Sequence, residues 1–473
     1  MHFSDAHPTR PPDAAGGTIF RVSNPLELLD DQSTSRPALS AHEIDAAAKR
    51  IADIIEPTPL QHSPRLSALT GAQVYLKRED LTAVRSYKLR GAYNLIVQLT
   101  DSERAAGVVA ASAGNHAQGV AFACNAMGIK GRIYVPTTTP KQKRDRIRVH
   151  GGEFVELIAV GETYDAAAAA AVEDVERTGA TMVPPFDDPR TAAGQGTIAP
   201  EFLEQLGGRT PDLVVIPVGG GGCLAGIGTY LRERSPSTGI LGVEPAGAAS
   251  MTAALVAGGP VTLPEIDPFV DGAAVRRIGG LPYAAIAAFG GRVVSHGSLP
   301  LLTATESPSG AGAFRMMQVD EGAICTTMLE LYQNEGIIAE PAGALSATAL
   351  AEITIEPGST VVCLVSGGNN DVSRYGEIIE RSLVHRGLKH YFLVDFPQEP
   401  GALRRFLNEV LGPDDDITLF EYVKRNNRET GAALVGIELG APEGLGPLLE
   451  RVQDSPIQCE RLDPGSPAYR YLT

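Results

Sequence analysis

Positive charge, paired cysteines and long apolar runs are all scarce in this sequence. Its 473 residues include 40 Lys and Arg against 56 Asp and Glu, so the formal net charge is -16. A protein that binds nucleic acid needs a basic surface to neutralise the phosphates, and this composition argues against such a partner. The 5 cysteines are scattered without a C-x-x-C pair, which argues against a disulfide framework or a zinc site and is typical of a reducing compartment.

Membrane segments are missing as well. No apolar run approaches the roughly 20 residues that a membrane-spanning helix needs, and residues 1–38 lack the apolar core of a signal peptide. We therefore expect a soluble, cytoplasmic protein. The same 38 residues contain 5 prolines and no apolar period, so they cannot bury enough surface to offset the entropy lost on ordering. We predict a disordered extension there.

The length, together with a 43% share of hydrophobic residues, predicts two or more folded domains. Order is expected to begin near residue 40, where Ser40 and Glu43 have the spacing of a capping box. From residue 40 to 385, short β-branched runs alternate with Ala-rich amphipathic stretches, as in Gly107–Ala111 followed by Asn115–Met127. This alternation predicts an α/β domain whose helices cover a mostly parallel sheet.

A different pattern begins after the helix predicted over Tyr375–His385. Residues 389–463 are typical of strand, helix, two strands, helix and strand, in that order. The first helix of this unit is predicted from Pro400 to Leu411, with an apolar face formed by Leu403, Phe406, Leu407, Val410 and Leu411. We predict a separate α+β domain over residues 387–473.

Lys88 is the first candidate for chemistry. It lies in an otherwise apolar, helix-compatible stretch, Ser86-Tyr87-Lys88-Leu89-Arg90-Gly91. A lone lysine in such a stretch is most often a solvated surface group. If burial removes its solvation, the pKa of the amine falls, and the neutral amine can form a Schiff base with an aldehyde cofactor and then remove a proton from carbon.

Two turns that follow predicted strands offer backbone N–H groups to anions. The turn Ser112–Gly119 opens a helix, so its N–H groups and the helix dipole favour a carboxylate, although an Asx-capped turn would look the same. The run Gly219-Gly220-Gly221-Gly222 follows the strand Asp212–Val218 and contributes no side chain to packing. Its N–H groups are free to hold a phosphate, and a plain flexible loop is the alternative.

A third turn begins at Ser366, directly after the predicted strand Thr360–Val365. The serine hydroxyl can donate a hydrogen bond to a neutral pyridine nitrogen, whereas an aspartate would keep that nitrogen protonated. A ring held in this way favours β-elimination over transamination. A simple Ser-Gly-Gly turn is the alternative, but both this turn and the glycine run stand at strand ends where open α/β sheets place their ligands.

The order and spacing of these segments resemble the fold type II pyridoxal-phosphate enzymes, and within them the biosynthetic threonine dehydratases, over nearly all of residues 40–463. The resemblance rests on Pro57–Leu60, Leu76–Asp80, Ser86–Gly91, Ser112–Gly119, Gly219–Gly222 and Val365–Asn369. It implies an α/β fold of two open, mostly parallel subdomains over residues 40–385, followed by one α+β, ACT-like regulatory domain.

The resemblance implies pyridoxal 5'-phosphate as the cofactor and a role for each motif residue. Lys88 would bind the cofactor covalently and act as the base at Cα, Asn115 would contact the cofactor 3'-oxygen, and Ser366 would face the pyridine nitrogen. The residues implied to bind the phosphate are Gly219, Gly220, Gly221, Gly222 and Cys223. Those implied to surround the substrate carboxylate are Ser112, Gly114 and His116.

The implied reaction removes water and ammonia from L-threonine to give 2-oxobutanoate, the first step of isoleucine biosynthesis. The cofactor phosphate is the acid expected to assist loss of the β-hydroxide. The C-terminal domain implies feedback inhibition by isoleucine, opposed by valine. A homotetramer or homodimer is also implied.

Three positions depart from the pattern of relatives. Cys223 stands where many relatives carry leucine, but only its backbone N–H is expected to matter. Ala113 stands where the related serine racemases carry a serine that acts as a second base, which argues against racemisation. Those racemases also bind a divalent metal through a Glu, a carbonyl and an Asp, and here the matching stretch keeps Glu244 but ends in Ser250. We therefore predict no metal.

Other functions are compatible with parts of the pattern. A serine dehydratase, or another β-elimination or β-replacement enzyme of the same fold, would have no need of a regulatory domain that binds the end product of a pathway. A regulatory binding protein that has lost catalysis would have no reason to keep Lys88. A structural Rossmann-like scaffold would leave four consecutive glycines after a strand unexplained.

Overall fold

The computed structural model describes residues 39–290, 292–293, 312–422, 429–463 and 469. The predicted disordered extension at residues 1–38 lies outside these residues. Helices and strands are numbered in chain order. None of the helices in the described ranges is long and apolar enough to cross a membrane.

A seven-stranded sheet forms the largest layer. In spatial order its strands are β1 (Leu60–His62), β2 (Gln73–Arg78), β11 (Thr360–Val365), β7 (Leu213–Pro217), β8 (Gly239–Pro245), β10 (Phe314–Val319) and β9 (Arg292–Val293). Every neighbouring pair is parallel except β1 and β2. The strand over Thr360–Val365 is confirmed with the predicted bounds.

Both faces of this sheet are buried, as parallel sheets require. Successive residues of β7 point to opposite faces, so Leu213 and Val215 join one hydrophobic cluster while Val214 and Ile216 join the other. Because both faces of the strand are buried, nearly every residue in it is apolar, which explains the continuous apolar runs in the sequence.

A smaller, all-parallel sheet holds the strands β5 (Val155–Ala159), β4 (Gly131–Val135), β3 (Val108–Ala111) and β6 (Thr181–Met182), in that spatial order. A third, antiparallel sheet holds β13 (Asp416–Tyr422), β14 (Thr430–Glu438), β12 (Lys389–Pro397) and β15 (Gln458–Arg461). The predicted C-terminal order of strand, helix, two strands, helix and strand is confirmed.

Helices surround the two parallel sheets. Those in the first half of the chain are α1 (Ala41–Ile51), α2 (Pro64–Thr70), α3 (Lys88–Ile96), α4 (Asp101–Ala106), α5 (Asn115–Met127), α6 (Lys141–Gly151), α7 (Tyr164–Thr178), α8 (Pro189–Gly196), α9 (Ile198–Gln205) and α10 (Gly222–Arg234). Those in the second half are α11 (Ser250–Ala257), α12 (Gly280–Ala287), α13 (Glu321–Glu335), α14 (Pro341–Ala349), α15 (Tyr375–His385), α16 (Ala402–Glu409) and α17 (Leu445–Asp454).

Helix α1 begins where the sequence predicted order. The Ser40 side chain accepts a hydrogen bond from the Glu43 N–H at 3.3 Å, which is the N-cap half of the predicted box. Ile44 and Ile51 are buried on its inner face.

Helix α16 is shorter than predicted, and its apolar face is divided. Phe406 and Val410 are buried in the C-terminal core, whereas Leu403 and Leu407 are each 42% exposed. The apolar stripe of this helix is therefore wider than the core that it covers.

Three helices pack almost backbone to backbone because glycines face one another. A Cβ on Gly194 of α8 would collide with the Arg90 carbonyl oxygen of α3, and one on Gly196 would lie 2.9 Å from the Gly226 carbonyl carbon of α10. A Cβ on Gly91 of α3 would lie 2.8 Å from the Thr191 carbonyl oxygen. Helix α8 thus separates α3 from α10 with no intervening layer of side chains at these contacts.

Candidate active site

The segments singled out by sequence meet where strands of both parallel sheets end. The turn after β3 contains Ser112 and Gly114, the turn after β7 contains the four glycines, and the turn after β11 begins at Ser366. Ser86 forms an isolated bridge with Gly367, and the Tyr87 N–H donates to the Ser366 carbonyl at 3.2 Å. The lysine segment is therefore joined directly to the turn after β11.

Lys88 is the first residue of α3, and its side chain lies in a partly buried position beside two aromatic rings. Its Nζ donates to the Pro185 carbonyl at 3.0 Å and lies 5.3 Å from the centre of the Tyr87 ring and 6.0 Å from that of Phe186. Burial lowers the pKa of the Lys88 amine to about 8. A substantial neutral fraction is thus available at physiological pH, as a nucleophile or base requires.

The turn before Lys88 has an unusual backbone. Arg85 has a φ of 56°, in the left-handed region that costs a residue with a side chain roughly 1–3 kcal/mol. Its carbonyl accepts from the Gly368 N–H at 3.0 Å, so the turn after β11 holds this conformation in place. The strained turn aims the chain so that Lys88 starts the helix.

A buried ion network lies two residues beyond the lysine. The Arg90 Nε donates to Glu79 at 2.8 Å and its Nη1 donates to Glu201 at 2.9 Å. Lys77 completes the network by an ion pair with Glu201, and its side chain is fully buried. Burial lowers the pKa of Lys77, although Glu79 and Glu201 oppose that shift. The network ties the helix that carries Lys88 to β2 and α9.

The four glycines form a cradle between β7 and the start of α10. A Cβ on Gly220 would collide with the Phe186 ring, and Cβ atoms on Gly219 and Gly221 would lie 2.9 Å from Ala273 and 2.8 Å from Met251. Gly221 also has a φ of +88°. Among the described residues none accepts a hydrogen bond from the backbone N–H groups of 219–223. Free N–H groups at a helix start suit a phosphate, so this loop fits the phosphate of pyridoxal 5'-phosphate.

Asn115 opens α5 and is held from both sides of its amide. Its Nδ2 donates to Glu340 Oε1 at 2.6 Å, and its Oδ1 accepts from Asn369 Nδ2 at 2.8 Å. Burial and the nearby Asp271 carboxylate raise the pKa of Glu340 to about 7, although the hydrogen bond from Asn115 lowers it in part. Asn115 is thus fixed beside Gly367, whose added Cβ would lie 3.3 Å from its Nδ2.

Ser366 is buried, and its hydroxyl donates to the Ala342 carbonyl at 3.2 Å. A pyridine nitrogen would need the same hydrogen, so contact with the cofactor requires rotation of this hydroxyl. Its role at the ring nitrogen stays a prediction.

The predicted carboxylate turn is open at its glycine. A Cβ on Gly114 would meet no atom within 4 Å, and the Ser112 hydroxyl accepts from the Gly114 N–H at 3.2 Å. The His116 ring lies away from this opening, because its Nε2 bonds to the Val183 carbonyl at 2.7 Å. Burial and the Lys88 charge lower the pKa of His116 to about 3, so the ring is neutral. The backbone of His116, and not its ring, is the part placed for an anion.

Sequence reasoning missed two residues of this region. Glu340 is a single carboxylate between the apolar runs Ile337–Ala339 and Pro341–Ala344, and that isolation was a usable signal. Gln195 lies between two glycines inside a helix, and its side chain donates from Nε2 to the Pro185 carbonyl at 3.0 Å. Lys88 shares that carbonyl, so Gln195 belongs to the lysine's immediate surroundings.

Glu244, the candidate metal ligand, has other partners. Its carboxylate accepts hydrogen bonds from the Met251 N–H, the Thr252 N–H and the Thr252 hydroxyl at 2.6–2.9 Å. These groups lie in the first turn of α11. Within the described residues no group of three or more His, Cys, Asp or Glu side chains is placed to hold a metal ion.

Comparison with known protein families agrees with this geometry. Residues 51–367 match the family described as pyridoxal-phosphate dependent enzyme, and residues 380–472 match the C-terminal regulatory domain of threonine dehydratase. The chain therefore belongs to the pyridoxal-phosphate-dependent enzymes, and the predicted fold type II architecture with a C-terminal regulatory domain is confirmed.

Curated relatives narrow the family further. A biosynthetic L-threonine dehydratase of Mycobacterium bovis is 69% identical over 446 residues, which are 94% of this chain and 99% of the relative. One of Corynebacterium glutamicum is 61% identical over 92% of this chain and 95% of its own length. Within its class, the chain belongs to the family of biosynthetic L-threonine dehydratases, as the sequence motifs predicted.

A solved structure shows the same fold. The processed threonine deaminase isoform 2 of Solanum lycopersicum is 35% identical and superposes with a TM-score of 0.62 over 73% of this chain and 96% of its own. Maize serine racemase superposes with a TM-score of 0.61 at 27% identity, over 74% of this chain and 99% of its own.

Proposed function

We propose that this protein is a threonine ammonia-lyase that converts L-threonine to 2-oxobutanoate and ammonia, with pyridoxal 5'-phosphate as its cofactor. The observation that carries the proposal is the Lys88 amine, whose pKa is lowered to about 8 at the convergence of three strand-end turns. The family and the curated relatives, which are named biosynthetic L-threonine dehydratases, support the same activity, and we propose that it serves isoleucine biosynthesis.

Each residue has a task that its surroundings support. The cofactor supplies an aldehyde for covalent attachment and an electron-withdrawing ring. Lys88 provides the amine for that attachment and, once freed, the base that takes the proton from the threonine Cα. Gly219 to Cys223 would hold the phosphate by their N–H groups, because a helix start with free donors favours an anion.

The other residues orient the substrate and the ring. Asn115, fixed by Glu340 and Asn369, would contact the 3'-oxygen, and Ser366 would contact the ring nitrogen once its hydroxyl turns from the Ala342 carbonyl. Ser112, Gly114 and the backbone of His116 receive the substrate carboxylate at the start of α5, where the helix dipole favours negative charge.

The test is 2-oxo acid formation by the purified, cofactor-loaded protein with L-threonine and, separately, with L-serine. Formation of 2-oxobutanoate at a higher kcat/KM than pyruvate is the expected result. A preference for serine would make the chain a serine dehydratase of the same fold, and no product from either would contradict the lyase activity.

We propose that residues 40–385 form the catalytic domain and residues 387–473 a regulatory domain that binds isoleucine as an inhibitor, with valine opposing it. The family match over residues 380–472 supports a regulatory domain but names no effector. Inhibition requires that isoleucine bind one state of the enzyme better than another.

A cavity of about 340 Å³ in the C-terminal domain is the proposed effector site. It lies between the end of β12, the start of α16 and β13, and Phe396, Leu403, Phe420 and Tyr422 are among its lining residues. The Phe396 ring packs edge-on against Phe420 and Tyr422, with centroids 5.9 and 6.1 Å apart. These apolar walls suit a branched aliphatic side chain.

Replacing Phe420 by Asp tests this site, since a carboxylate in an apolar wall makes contact with an aliphatic side chain unfavourable. Activity without effector should be unchanged, and the isoleucine concentration for half inhibition should rise at least tenfold. Val372→Asp, at an exposed apolar position in the catalytic domain, is the matched control. Unchanged isoleucine sensitivity of the Phe420 variant would place the effector elsewhere.

We further propose a cytoplasmic homo-oligomer, either a dimer or a tetramer. The apolar face of α16 supports an interface, because Leu407, which does not line the cavity, is large, apolar and 42% exposed. The 5 cysteines are all free, which fits a reducing compartment. Light scattering of the wild type and of Leu407→Glu tests the oligomer, and a monomeric wild type would contradict it.

A further inference from the structure

The Gln195 carboxamide has one satisfied end and one unsatisfied end. Its side chain is fully buried, and its Nε2 donates to the Pro185 carbonyl at 3.0 Å. Its Oε1 is buried too, and it has no hydrogen-bond partner among the described residues. A buried acceptor without a donor costs roughly 1–3 kcal/mol, so a group absent from the protein itself is the expected partner.

The unpaired oxygen lies beside the glycine cradle. A Cβ built on Gly222 would lie 2.7 Å from Gln195 Oε1. Gly222 begins α10 and belongs to the run of free N–H groups at 219–223. The cradle therefore presents several donors and, at one side, a single acceptor.

The orientation of the amide is fixed by its surroundings. A flipped Gln195 would place its oxygen against the Pro185 carbonyl oxygen, which is also an acceptor. The side chain cannot move away easily, because Gly194 and Gly196 pack against the backbones of α3 and α10. The acceptor is thus held toward the cradle.

The charged and titratable groups nearby do not supply the donor. Lys88 Nζ is bonded to Pro185, and the Arg90 guanidinium is bonded to Glu79 and Glu201. Burial raises the pKa of Cys223, so this thiol stays protonated, and no hydrogen bond joins it to Gln195 among the described residues.

An anion bound beside this acceptor can satisfy it only when the anion carries a proton. We propose that Gln195 Oε1 accepts a hydrogen bond from a protonated oxygen of the cofactor phosphate, so that the cradle binds the phosphate as its monoanion. This inference rests on the proposed function. It makes Gln195 a positioning residue that keeps a proton on the phosphate, next to the site where threonine loses its β-hydroxide.

The test is ³¹P NMR of the bound cofactor in the full-length, loaded protein as a function of pH. A free phosphate monoester loses its second proton near pH 6. Gln195→Leu removes the acceptor and should lower the phosphate pKa by about one unit relative to the wild type, a tenfold smaller protonated fraction at a given pH. Gln195→Glu keeps an acceptor and adds negative charge, so it should raise that pKa.

The opposite signs of the two variants separate this role from a merely structural one. Gln98→Leu is the matched control, because the Gln98 amide also donates to a backbone carbonyl but lies beyond the C-terminal end of α3, whereas Lys88 begins that helix. Its phosphate pKa should equal that of the wild type.

A wild-type phosphate that stays dianionic at every pH would overturn the inference, and so would equal phosphate pKa values in all variants or shifts of the same sign in both Gln195 variants. Loss of the cofactor from both Gln195 variants would also contradict it, since the N–H groups should hold the phosphate without Gln195. These outcomes leave the lyase activity itself untouched, which the wild type's formation of 2-oxobutanoate tests independently.

Discussion

The catalytic and C-terminal parts of the chain bury different kinds of groups. Around Lys88 the interior contains charges, with Lys77, Glu79 and Arg90 all buried, and helices that touch through glycines. The C-terminal core holds apolar side chains such as Phe392 and Phe406, while Leu403 and Leu407 remain exposed. The buried ion pairs and glycine contacts fix the distances between the helices around Lys88. The C-terminal domain instead leaves an apolar surface available for binding.

The largest expected effect concerns the amine at the centre of the first region. Lys88→Ala should lower kcat/KM for threonine by on the order of 10³-fold or more, since it removes both the attachment point and the base. The visible absorption of the lysine-bound cofactor should disappear while the circular dichroism stays native. Lys130→Ala, at a lysine whose Nζ bonds to the Glu153 carbonyl far from the site, is the control. Wild-type turnover by the Lys88 variant would contradict its role.

Matched arginine variants test the contrast in buried charge. Arg90→Met should lower the free energy of unfolding by about 3–5 kcal/mol, because it removes the salt bridge of the buried Glu79 carboxylate and leaves Glu201 with Lys77 alone. Arg405→Met removes the ion pair with Glu399 in the C-terminal domain, where both side chains are about half exposed, and should cost less than about 1 kcal/mol. Urea unfolding of both variants gives the comparison. Equal losses in the free energy of unfolding would show that the ion pairs of the two regions contribute equally to stability.

Matched glycine variants test the contrast in packing. Gly194→Ala should destabilise the protein by roughly 1–3 kcal/mol, since the new methyl would collide with the Arg90 carbonyl and lie 2.8 Å from Asn94 Cβ. Gly446→Ala, in α17 of the C-terminal domain with no atom within 4 Å of an added Cβ, should stabilise it by up to about 1 kcal/mol. Thermal melting checks both signs, and a neutral Gly194 variant would show that α8 can shift.

The smallest effect lies at the junction of the two regions. His385, the last residue of α15, lies 3.2 Å from Asp320, and this hydrogen bond raises the pKa of His385 above its usual 6.5. The resulting stability is fully present below pH 6.5 and is lost as the pH rises through the folded-state pKa. His385→Asn should flatten this loss, which amounts to less than about 1 kcal/mol for such an exposed pair. Urea midpoints at pH 5.5 and 8.5 measure it, and an unchanged difference would exclude His385 as its source.

Elements with strong local patterns were predictable from the sequence. The strand Thr360–Val365 and the helices Asn115–Met127 and Tyr375–His385 have the predicted bounds, because apolar runs and following glycines are local signals. The motif segments could be expected at one edge, since parallel strands end on the same side of a sheet.

Side-chain directions were not predictable in the same way. The His116 ring bonds to Val183, and Asn115 pairs with Glu340, which lies 225 residues further along the chain. Such contacts depend on packing between segments that are distant in the sequence, so the spacing of residues does not predict them. The division of α16 into buried and exposed leucines has the same cause, because the width of the core decides it.

The Pro185 carbonyl accepts hydrogen bonds from two side chains, Lys88 and Gln195. Because this acceptor is an uncharged carbonyl and not a carboxylate, the Lys88 side chain can move from it without leaving a buried charge unpaired, and the carbonyl keeps the hydrogen bond from Gln195. The lysine can therefore turn between its two proposed tasks, covalent attachment and proton removal, while the rest of the site keeps its hydrogen bonds.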